Sequence, residues 1–278
     1  MKKLTFSDVY EKWSERKYPE LSKNRVEQYK SIYQMLEQFH SVPFSDLRTL
    51  HIQDYFDKRT DISSASLIHY KALFNQMYKY AVKHEIVSKN YAEHVEIKRT
   101  EKTAPHSIFT EEEIWTLWDN SEDKDVQLIL ILIYSGMRIT ELLQMYRENV
   151  FLDDRYMIGG IKTEAGKDRI IPISKKILPF IEDLYDKDAE FLVQKKNKGK
   201  SAAYTYHGFR HSIWKPVMGR FKMKHSIHDT RHTTISLMDA AGVNKTAIKR
   251  IVGHKNADVT ESYTHKSIAD LIQEIDKI

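Results

Sequence analysis

Cysteine is absent from the 278 residues. That absence excludes disulfides, thiolate nucleophiles and cysteine-ligated zinc, and it agrees with a reducing compartment. No apolar run approaches the roughly 20 residues that a membrane span needs, and the first residues lack the apolar stretch of a secretory signal. The sequence therefore predicts a soluble, cytoplasmic protein without a membrane partner.

Positive charge is unevenly distributed along the chain. The net charge is +5 and the isoelectric point is about 9.0. Between Leu192 and Lys255 there are 14 Lys and Arg residues against two acidic residues, Asp229 and Asp239. This segment suits the phosphate backbone of a nucleic acid duplex. The basic residues of this segment that would contact such a backbone are Lys195, Lys196, Lys198, Lys200, Arg210, Lys215, Arg220, Lys222 and Lys224, and the cluster from Lys195 to Lys200 is predicted to be a mobile surface loop.

The length of the chain favours two domains, since one hydrophobic core stops growing at about this size. Residues 1–98 show short amphipathic helices whose aromatic residues have the spacing of a buried core. Residues 99–108 are polar and contain Pro105, and they are predicted to be a linker. Thr110 and Glu113 form a capping box that opens the second domain, residues 109–278.

The second domain is predicted to be mainly helical with a small antiparallel sheet. The apolar run from Val126 to Tyr134 reads as a buried helix that stops at Ser135-Gly136. Short strands are predicted around Met157 and Ile171, with a turn between them at residues 163–167. Lys162 would lie at the mouth of this hairpin.

Two arginines are candidates for binding a phosphodiester. Attack on such a group places extra negative charge on its nonbridging oxygens, and the fork of arginine binds two oxygens at once. Arg138 follows a predicted helix end, although an arginine three residues before Glu141 is also the pattern of a surface ion pair. Arg231 shares a helix face with His228, so that an acid–base group and a phosphate ligand would point in one direction.

Zinc is the alternative for His228 and His232, which are four residues apart. The glutamate of a metalloprotease helix is missing and no cysteine is available as a further ligand, so we predict no metal site. Near the C-terminus, Gly253-His254 precedes Tyr263. A tyrosine is more often a core residue, and its hydroxyl becomes a useful nucleophile only beside a base and cations.

Taken together, these motifs resemble the tyrosine recombinase family, also called phage integrases. The match consists of Gly-x-Arg-x-x-Glu around Arg138, Lys162 on a hairpin, His228-x-x-Arg231-His232, Gly253-His254 and Tyr263, in the family's order. It covers the chain from about Phe109 to the end. The N-terminal helices resemble that family's helical, SAM-like core-binding domain by size and position.

The resemblance implies a mechanism for each matched residue. Arg138 and Arg231 would hold the scissile phosphate, and His254 would hydrogen-bond a nonbridging oxygen. His228 would accept the proton of Tyr263, Lys162 would protonate the leaving 5′ oxygen, and Glu141 would orient the site. A 3′-phosphotyrosyl bond would retain the bond energy, so no cofactor, nucleotide or metal is expected.

The resemblance also implies double-stranded DNA as the partner, a homotetramer acting on two duplexes through a Holliday junction, and accessory DNA-bending or directionality factors. The predicted function is site-specific recombination for integration or excision of a phage or mobile element, in association with the nucleoid. Resolution of chromosome dimers or plasmids is the alternative within the family. A type IB topoisomerase and a catalytically inactive DNA-binding protein are alternatives outside it. The amphipathic C-terminal helix would pack either on a neighbouring protomer or on its own domain.

Overall fold

The structure is a computed structural model that describes residues 3–98, 107–159, 169–197, 200–253 and 265–278. The chain divides into two compact units, with the division after Thr103. The predicted domain limits at residues 98 and 108 remain predictions, because residues 99–106 lie outside the described parts of the chain.

The first unit consists of helices joined by short turns. Its α-helices are α1 (Phe6–Lys17), α2 (Lys23–Met35), α3 (Thr49–Lys58) and α4 (Ser64–Lys83). Thr5, Ser22 and Ser63 cap the N-termini of α1, α2 and α4, where each side-chain oxygen accepts a backbone N–H of the first turn. The short amphipathic helices predicted for residues 1–98 are confirmed.

Aromatic rings fill the core of this unit. The Phe6 ring lies 5.6 Å from that of Phe74, and Phe74 also contacts Phe39 at 5.7 Å between centroids. Trp13 and Tyr29 meet edge to face at 5.4 Å. The prediction that these aromatics are core residues is confirmed by their burial.

The described residues of the second unit form helices and two small sheets. Its α-helices are α5 (Glu111–Asp119), α6 (Lys124–Ser135), α7 (Ile139–Leu143), α8 (Leu178–Leu184), α9 (Tyr206–Phe209), α10 (Lys215–Arg220), α11 (Asp229–Ala240), α12 (Lys245–Val252) and α13 (His265–Ile275), and a π-helical segment spans Arg210–Trp214. The strands are β1 (Val150–Phe151), β2 (Tyr156–Gly159), β3 (Arg169–Pro172), β4 (Gln194–Asn197) and β5 (Lys200–Ala203).

Helix α6 is the central element of this unit. Its residues from Leu128 to Ser135 are all buried, as the unbroken apolar run predicted. The helix packs against α11, α5 and α8. It ends at Gly136, which adopts a left-handed conformation with φ of 62°.

The three-stranded antiparallel sheet has the order β1-β2-β3. Gly159 at the end of β2 pairs with Arg169 at the start of β3, so the chain between these two residues connects paired strands. Lys162 belongs to this connection, and residues 160–168 lie outside the described residues. The predicted pairing is confirmed, and β1 is an additional strand.

The prediction of a loop from Lys195 to Lys200 is wrong for residues 195–197 and for Lys200, which lie in strands. Strands β4 and β5 pair in antiparallel fashion, with Lys195 opposite Ala202. The segment Gln-Lys-Lys-Asn has no apolar residue to alternate with the polar ones, so a search for hydrophobic periodicity does not find it. Backbone hydrogen bonds between β4 and β5 define this ribbon.

Helix α13 packs on its own unit, against β3 and α12. Leu271 and Ile275 are buried. Arg155 donates to the Asp276 carboxylate at 2.6 Å, which fixes the chain just after the helix. Of the two alternatives left open by the sequence, the structure shows packing within the domain.

Candidate active site

Arg138 lies where the buried helix α6 gives way to α7. Gly136 ends α6, and Arg138 is the residue that caps the N-terminus of α7. The Glu141 carboxylate accepts the backbone N–H of Arg138 at 2.7 Å and its Nη1–H at 3.2 Å. The Arg138 side chain remains 39% exposed, so that its guanidinium can also meet a ligand.

Arg231 lies in the first turn of α11 and is buried, with 3% of its surface exposed. Its Nη1 donates to the carbonyl oxygen of Gly136 at 2.6 Å, which brings Arg231 to the turn that also carries Arg138. Its Nη2 is buried and has no hydrogen-bond acceptor among the described residues. An N–H group of this kind normally has a partner, so the position suits an incoming anion.

Burial is the main cause that lowers the pKa of Arg231, to about 9, and the charges of Arg138 and Arg169 lower it further. The Glu141 carboxylate acts in the opposite direction. Arg231 therefore remains protonated at neutral pH. The excess of positive charge at this point would be relieved by a bound phosphate.

Close packing of α6 against α11 sets the position of Arg231. Thr234, one turn further along α11, donates its hydroxyl to the carbonyl oxygen of Ile133 at 2.6 Å. A side chain at Gly136 would lie 3.1 Å from Val252 Cγ1 and 3.2 Å from Thr234 Cγ2. Glycine is therefore favoured at this position both by the left-handed backbone and by the close approach of α11 and α12.

His228 precedes α11 and is exposed. Its carbonyl accepts the N–H of Arg231 at 3.1 Å, so the two residues belong to the same first turn. The ring of His232 lies 4.8 Å from that of His228 in an edge-to-face arrangement. Among the described residues, no group of three or more His, Cys, Asp or Glu side chains is arranged to hold a metal ion.

The C-terminus of α12 also reaches this region. Gly253 ends the helix in a left-handed conformation with φ of 66°. Its carbonyl oxygen accepts the Nη2–H of Arg138 at 3.1 Å. Gly253 directly precedes His254 in the sequence, so the segment that contains His254 and Tyr263 starts from a point in contact with Arg138.

Arg169 is a member of this cluster that the sequence did not reveal. It is 2% exposed, and its Nη2 donates to Glu141 Oε2 at 2.6 Å while its Nη1 donates to the carbonyl of Ile251. In the sequence it is a single charged residue at the start of an apolar strand, which is typical of a strand end in solvent. The one signal in the sequence was that this charged residue stands immediately before four apolar residues, 170–173.

Glu141 thus lies between two guanidinium groups. Burial would raise the pKa of its carboxyl group, but the charge and hydrogen bonds of Arg169, together with Arg138, hold the pKa below its ordinary value. Glu141 is therefore ionised at neutral pH, and its carboxylate joins the strand β3 to the start of α7.

The structure brings together Arg138, Glu141 and Arg231, and it places His228 in the first turn of the helix that carries Arg231. Lys162, His254 and Tyr263 lie outside the described residues. Their assignments remain predictions.

The residues predicted to contact DNA lie at or near the surface wherever their side chains are described. Arg220 is exposed and pairs with Asp123 at 2.8 Å. The other exposed members are Lys195, Arg210, Lys215, Lys222 and Lys224. Lys198 lies outside the described residues, and for Lys196 and Lys200 only the strands they belong to are described.

Two family models match the chain. The phage integrase family matches residues 107–269, and the phage integrase SAM-like domain matches residues 5–98. Tyrosine recombinase XerD of Staphylococcus haemolyticus is 24% identical, with 91% of each chain covered.

Solved structures share the fold. The Tn1549 transposon integrase in complex with circular intermediate DNA superposes with a TM-score of 0.76 at 19% identity, covering 95% of this chain and 97% of that one. A lambda integrase tetramer bound to a Holliday junction gives a TM-score of 0.76 at 12% identity, covering 94% of this chain and 80% of that one.

The chain therefore belongs to the phage integrase family. It is a tyrosine recombinase, an enzyme that breaks and rejoins DNA, with a SAM-like helical domain followed by the integrase catalytic domain. No helix in the described parts of the chain is long and apolar enough to span a membrane.

Proposed function

We propose that this chain is a site-specific DNA recombinase that forms a 3′-phosphotyrosyl bond through Tyr263. One observation carries the proposal: Arg231 donates to the carbonyl oxygen of Gly136, two residues before Arg138, and a buried N–H of Arg231 has no acceptor in the described part of the chain. A scissile phosphate would supply the missing acceptor. Fixed donors of this kind stabilise the charge that develops during attack on phosphorus.

The proposed reaction conserves atoms and charge. The Tyr263 oxygen bonds to phosphorus while the bond between phosphorus and the 5′ oxygen breaks. The phenolic proton goes to His228, and Lys162 gives a proton to the departing 5′ oxygen. A free 5′ hydroxyl then attacks the phosphotyrosine in the reverse sense, which restores a phosphodiester and frees Tyr263.

His254 would hydrogen-bond a nonbridging oxygen in this scheme. The contact of the preceding residue, Gly253, with Arg138 supports that role, because it starts the His254 segment beside the proposed phosphate ligand. Glu141 would orient Arg138 without reacting, in agreement with its two hydrogen bonds to that residue.

Double-stranded DNA is the proposed partner, and a homotetramer on two duplexes is the proposed assembly. The exposed basic residues of the second unit support a backbone interface, for which salt should weaken binding steeply. The lambda integrase structure, a tetramer on a Holliday junction, is a solved example of such an assembly with the same fold.

Integration or excision of a mobile element is the proposed biological role, and resolution of chromosome dimers or plasmids is its rival. The integrase of the Tn1549 transposon is similar to this chain in fold, and tyrosine recombinase XerD is similar to it in sequence. Covalent adducts mapped on genomic DNA distinguish the two roles. Adducts at the ends of a mobile element support integration, whereas a single chromosomal or plasmid site supports resolution.

A nicked suicide duplex tests the chemistry. Cleavage releases a short strand that cannot return, so the covalent adduct accumulates. We expect an adduct with the native chain, and none with Tyr263→Phe, which should still bind the duplex because only the phenolic oxygen is lost. Tyr29→Phe in the first unit is the matched control and should form the adduct normally.

An adduct of undiminished yield in Tyr263→Phe would reject this nucleophile. The same assay with two labelled duplexes separates recombination from topoisomerase activity. Strands joined between two DNA molecules support recombination. Relaxation of supercoils without such joining would favour a type IB topoisomerase.

A further inference from the structure

Arg169 is a charged side chain in a buried position. It starts β3, is 2% exposed and is one of the largest fully buried side chains in the described structure. Burying a charged side chain costs free energy, and apolar residues of similar volume often replace buried ion pairs without loss of stability. A specific use of its guanidinium geometry would explain why an arginine stands there.

The guanidinium of Arg169 donates in two directions. Its Nε and Nη2 face the two oxygens of the Glu141 carboxylate, at 3.4 and 2.6 Å. Its Nη1 donates to the carbonyl of Ile251, in the last turn of α12. One rigid planar group therefore joins α7 to the C-terminus of α12.

Arg138 contacts the same two parts of the chain as Arg169, namely Glu141 and the end of α12. Its backbone N–H and Nη1 bind Glu141, and its Nη2 binds the carbonyl oxygen of Gly253. Arg138, Glu141, Arg169 and the α12 C-terminus thus form a closed ring of contacts, which we name the arginine ring. The first segment of this ring, at the start of α7, carries Arg138, which has a proposed catalytic role. The end of α12 leads directly to His254, which has another.

The backbone at Gly253 is shaped around Arg169. A Cβ atom at this position would lie 2.7 Å from Arg169 Cδ and 2.9 Å from Nε. The absence of a side chain at Gly253 therefore allows α12 to close onto Arg169. The chain leaves this contact toward His254, and on the other side of Arg169 the sequence leads back to Lys162.

We propose that Arg169 is a positioning residue for strand cleavage: through Glu141 and the end of α12 it holds the Arg138 guanidinium toward the scissile phosphate. The proposal rests on the proposed function, since it assigns a role in binding that phosphate. A residue that only neutralises Glu141 needs one positive charge. A positioning residue needs the planar fork, which lysine does not provide.

The first test compares Arg169→Lys with the native chain in single-turnover cleavage of the nicked duplex at saturating DNA. We expect the cleavage rate to fall about 10- to 100-fold, as for other groups that orient a reacting side chain, with the dissociation constant for DNA changed less than about threefold. Arg155→Lys is the matched control, because Arg155 also binds a carboxylate and a backbone carbonyl. Its partners are the Asp276 carboxylate and the Ile173 carbonyl, which have no proposed role in cleavage.

The second test distinguishes a misoriented Arg138 guanidinium from a general loss of structure in the active site. In a duplex whose scissile phosphate carries a methyl group instead of one nonbridging oxygen, less negative charge has to be stabilised. The deficit of Arg169→Lys should shrink on this substrate, and it should nearly vanish in an Arg138→Ala background, because coupled residues are not additive. Equal deficits on both substrates, or additivity with Arg138→Ala, would overturn the proposal.

Gly253→Ala is a second variant that displaces Arg169 without removing a charge. Its loss of cleavage rate should likewise be smaller on the duplex in which a methyl group replaces one nonbridging oxygen. Gly242→Ala is its control, since that glycine has φ of 70° but nothing within 4 Å of an added Cβ. If Arg169→Lys and Gly253→Ala both unfold at the assay temperature, Arg169 belongs to the fold alone and the proposal is wrong.

The outcomes also distinguish this inference from the proposed function. Normal cleavage by Arg138→Ala would reject the phosphate ligand itself, whatever Arg169 does. Impaired cleavage by Arg138→Ala together with normal cleavage by Arg169→Lys would reject only the positioning role.

Discussion

The two units bury different kinds of side chain, although helices dominate in each. In the first unit the buried residues are apolar or aromatic, and buried phenols such as Tyr78 and Tyr55 donate to backbone carbonyls, at 2.9 Å in each case. The buried polar and charged residues of the described chain all belong to the second unit: Ser135, Glu141, Arg169, Ser174, Asp229, Thr230, Arg231, Thr233 and Thr234.

This difference separates the requirements of folding from those of chemistry. Apolar burial stabilises a domain in proportion to its area, and the first unit meets that requirement with rings. Buried charges cost free energy unless they are paired, so their concentration around Arg231 and Arg169 needs another explanation. The proposed binding of a phosphate in the second unit would supply one.

The largest effect on stability is expected in the aromatic core. Phe74 is fully buried and contacts the rings of Phe6, Phe39 and Phe56. Phe74→Ala should lower the free energy of unfolding of the first unit by about 3–5 kcal/mol. Hydrogen exchange read by mass spectrometry follows each unit separately. A loss below about 1 kcal/mol would show that this core tolerates a cavity.

The reverse pattern is expected for Arg231→Met in the second unit. Losing one fixed donor should lower the cleavage rate by about 10²–10³-fold, while the melting temperature changes little because a buried charge is removed together with its bond to Gly136. Arg147→Met is the control, since Arg147 also donates to a backbone carbonyl, that of Ala189 at 3.2 Å. Normal cleavage by Arg231→Met would show that this buried charge of the second unit does not serve the reaction.

Three glycines separate backbone strain from packing in the second unit. Gly136→Ala combines a left-handed backbone with close contacts and should cost about 2–3 kcal/mol of stability. Gly242→Ala has the strain without the contacts and should cost about 1 kcal/mol. Gly219→Ala has neither and should be neutral or stabilising by up to about 1 kcal/mol. Denaturant unfolding of the three variants measures this order, and equal losses at Gly136 and Gly242 would contradict tight α6–α11 packing.

The smallest expected effect is a pH dependence. The pKa of Glu141 is lowered from 4.5 in the folded state, so its contribution to stability is complete above pH 4.5 and declines as pH falls toward the folded value. Stability of the second unit should therefore fall less steeply below pH 4.5 in Glu141→Gln than in the native chain. Asp61 in the first unit, an exposed partner of Arg59, is the comparison.

Asp61→Asn should change that acid dependence little, and added salt should remove most of the change, because exposed pairs are screened. Unfolding curves recorded from pH 6 to pH 3 provide the measurement. An unchanged slope in Glu141→Gln would show that the arginine ring does not depend on an ionised carboxylate.

Local patterns in the sequence predicted most of the fold. The capping box at Thr110 and the apolar run of α6 act over a few neighbouring residues, and the structure confirms both. The β4–β5 ribbon was missed because its pairing depends on backbone hydrogen bonds and leaves no hydrophobic pattern.

The sequence by itself determined the types and order of the proposed reacting groups, since the arginines, histidines and tyrosine stand in the order of the phage integrase family. Only the tertiary structure decided that Arg231 reaches the Gly136 turn and that Arg169 joins Glu141 to the end of α12. Those contacts link residues 95, 28 and 82 positions apart. Their geometry follows from helix packing around α6, which depends on side chains distributed over the whole unit rather than on any local pattern.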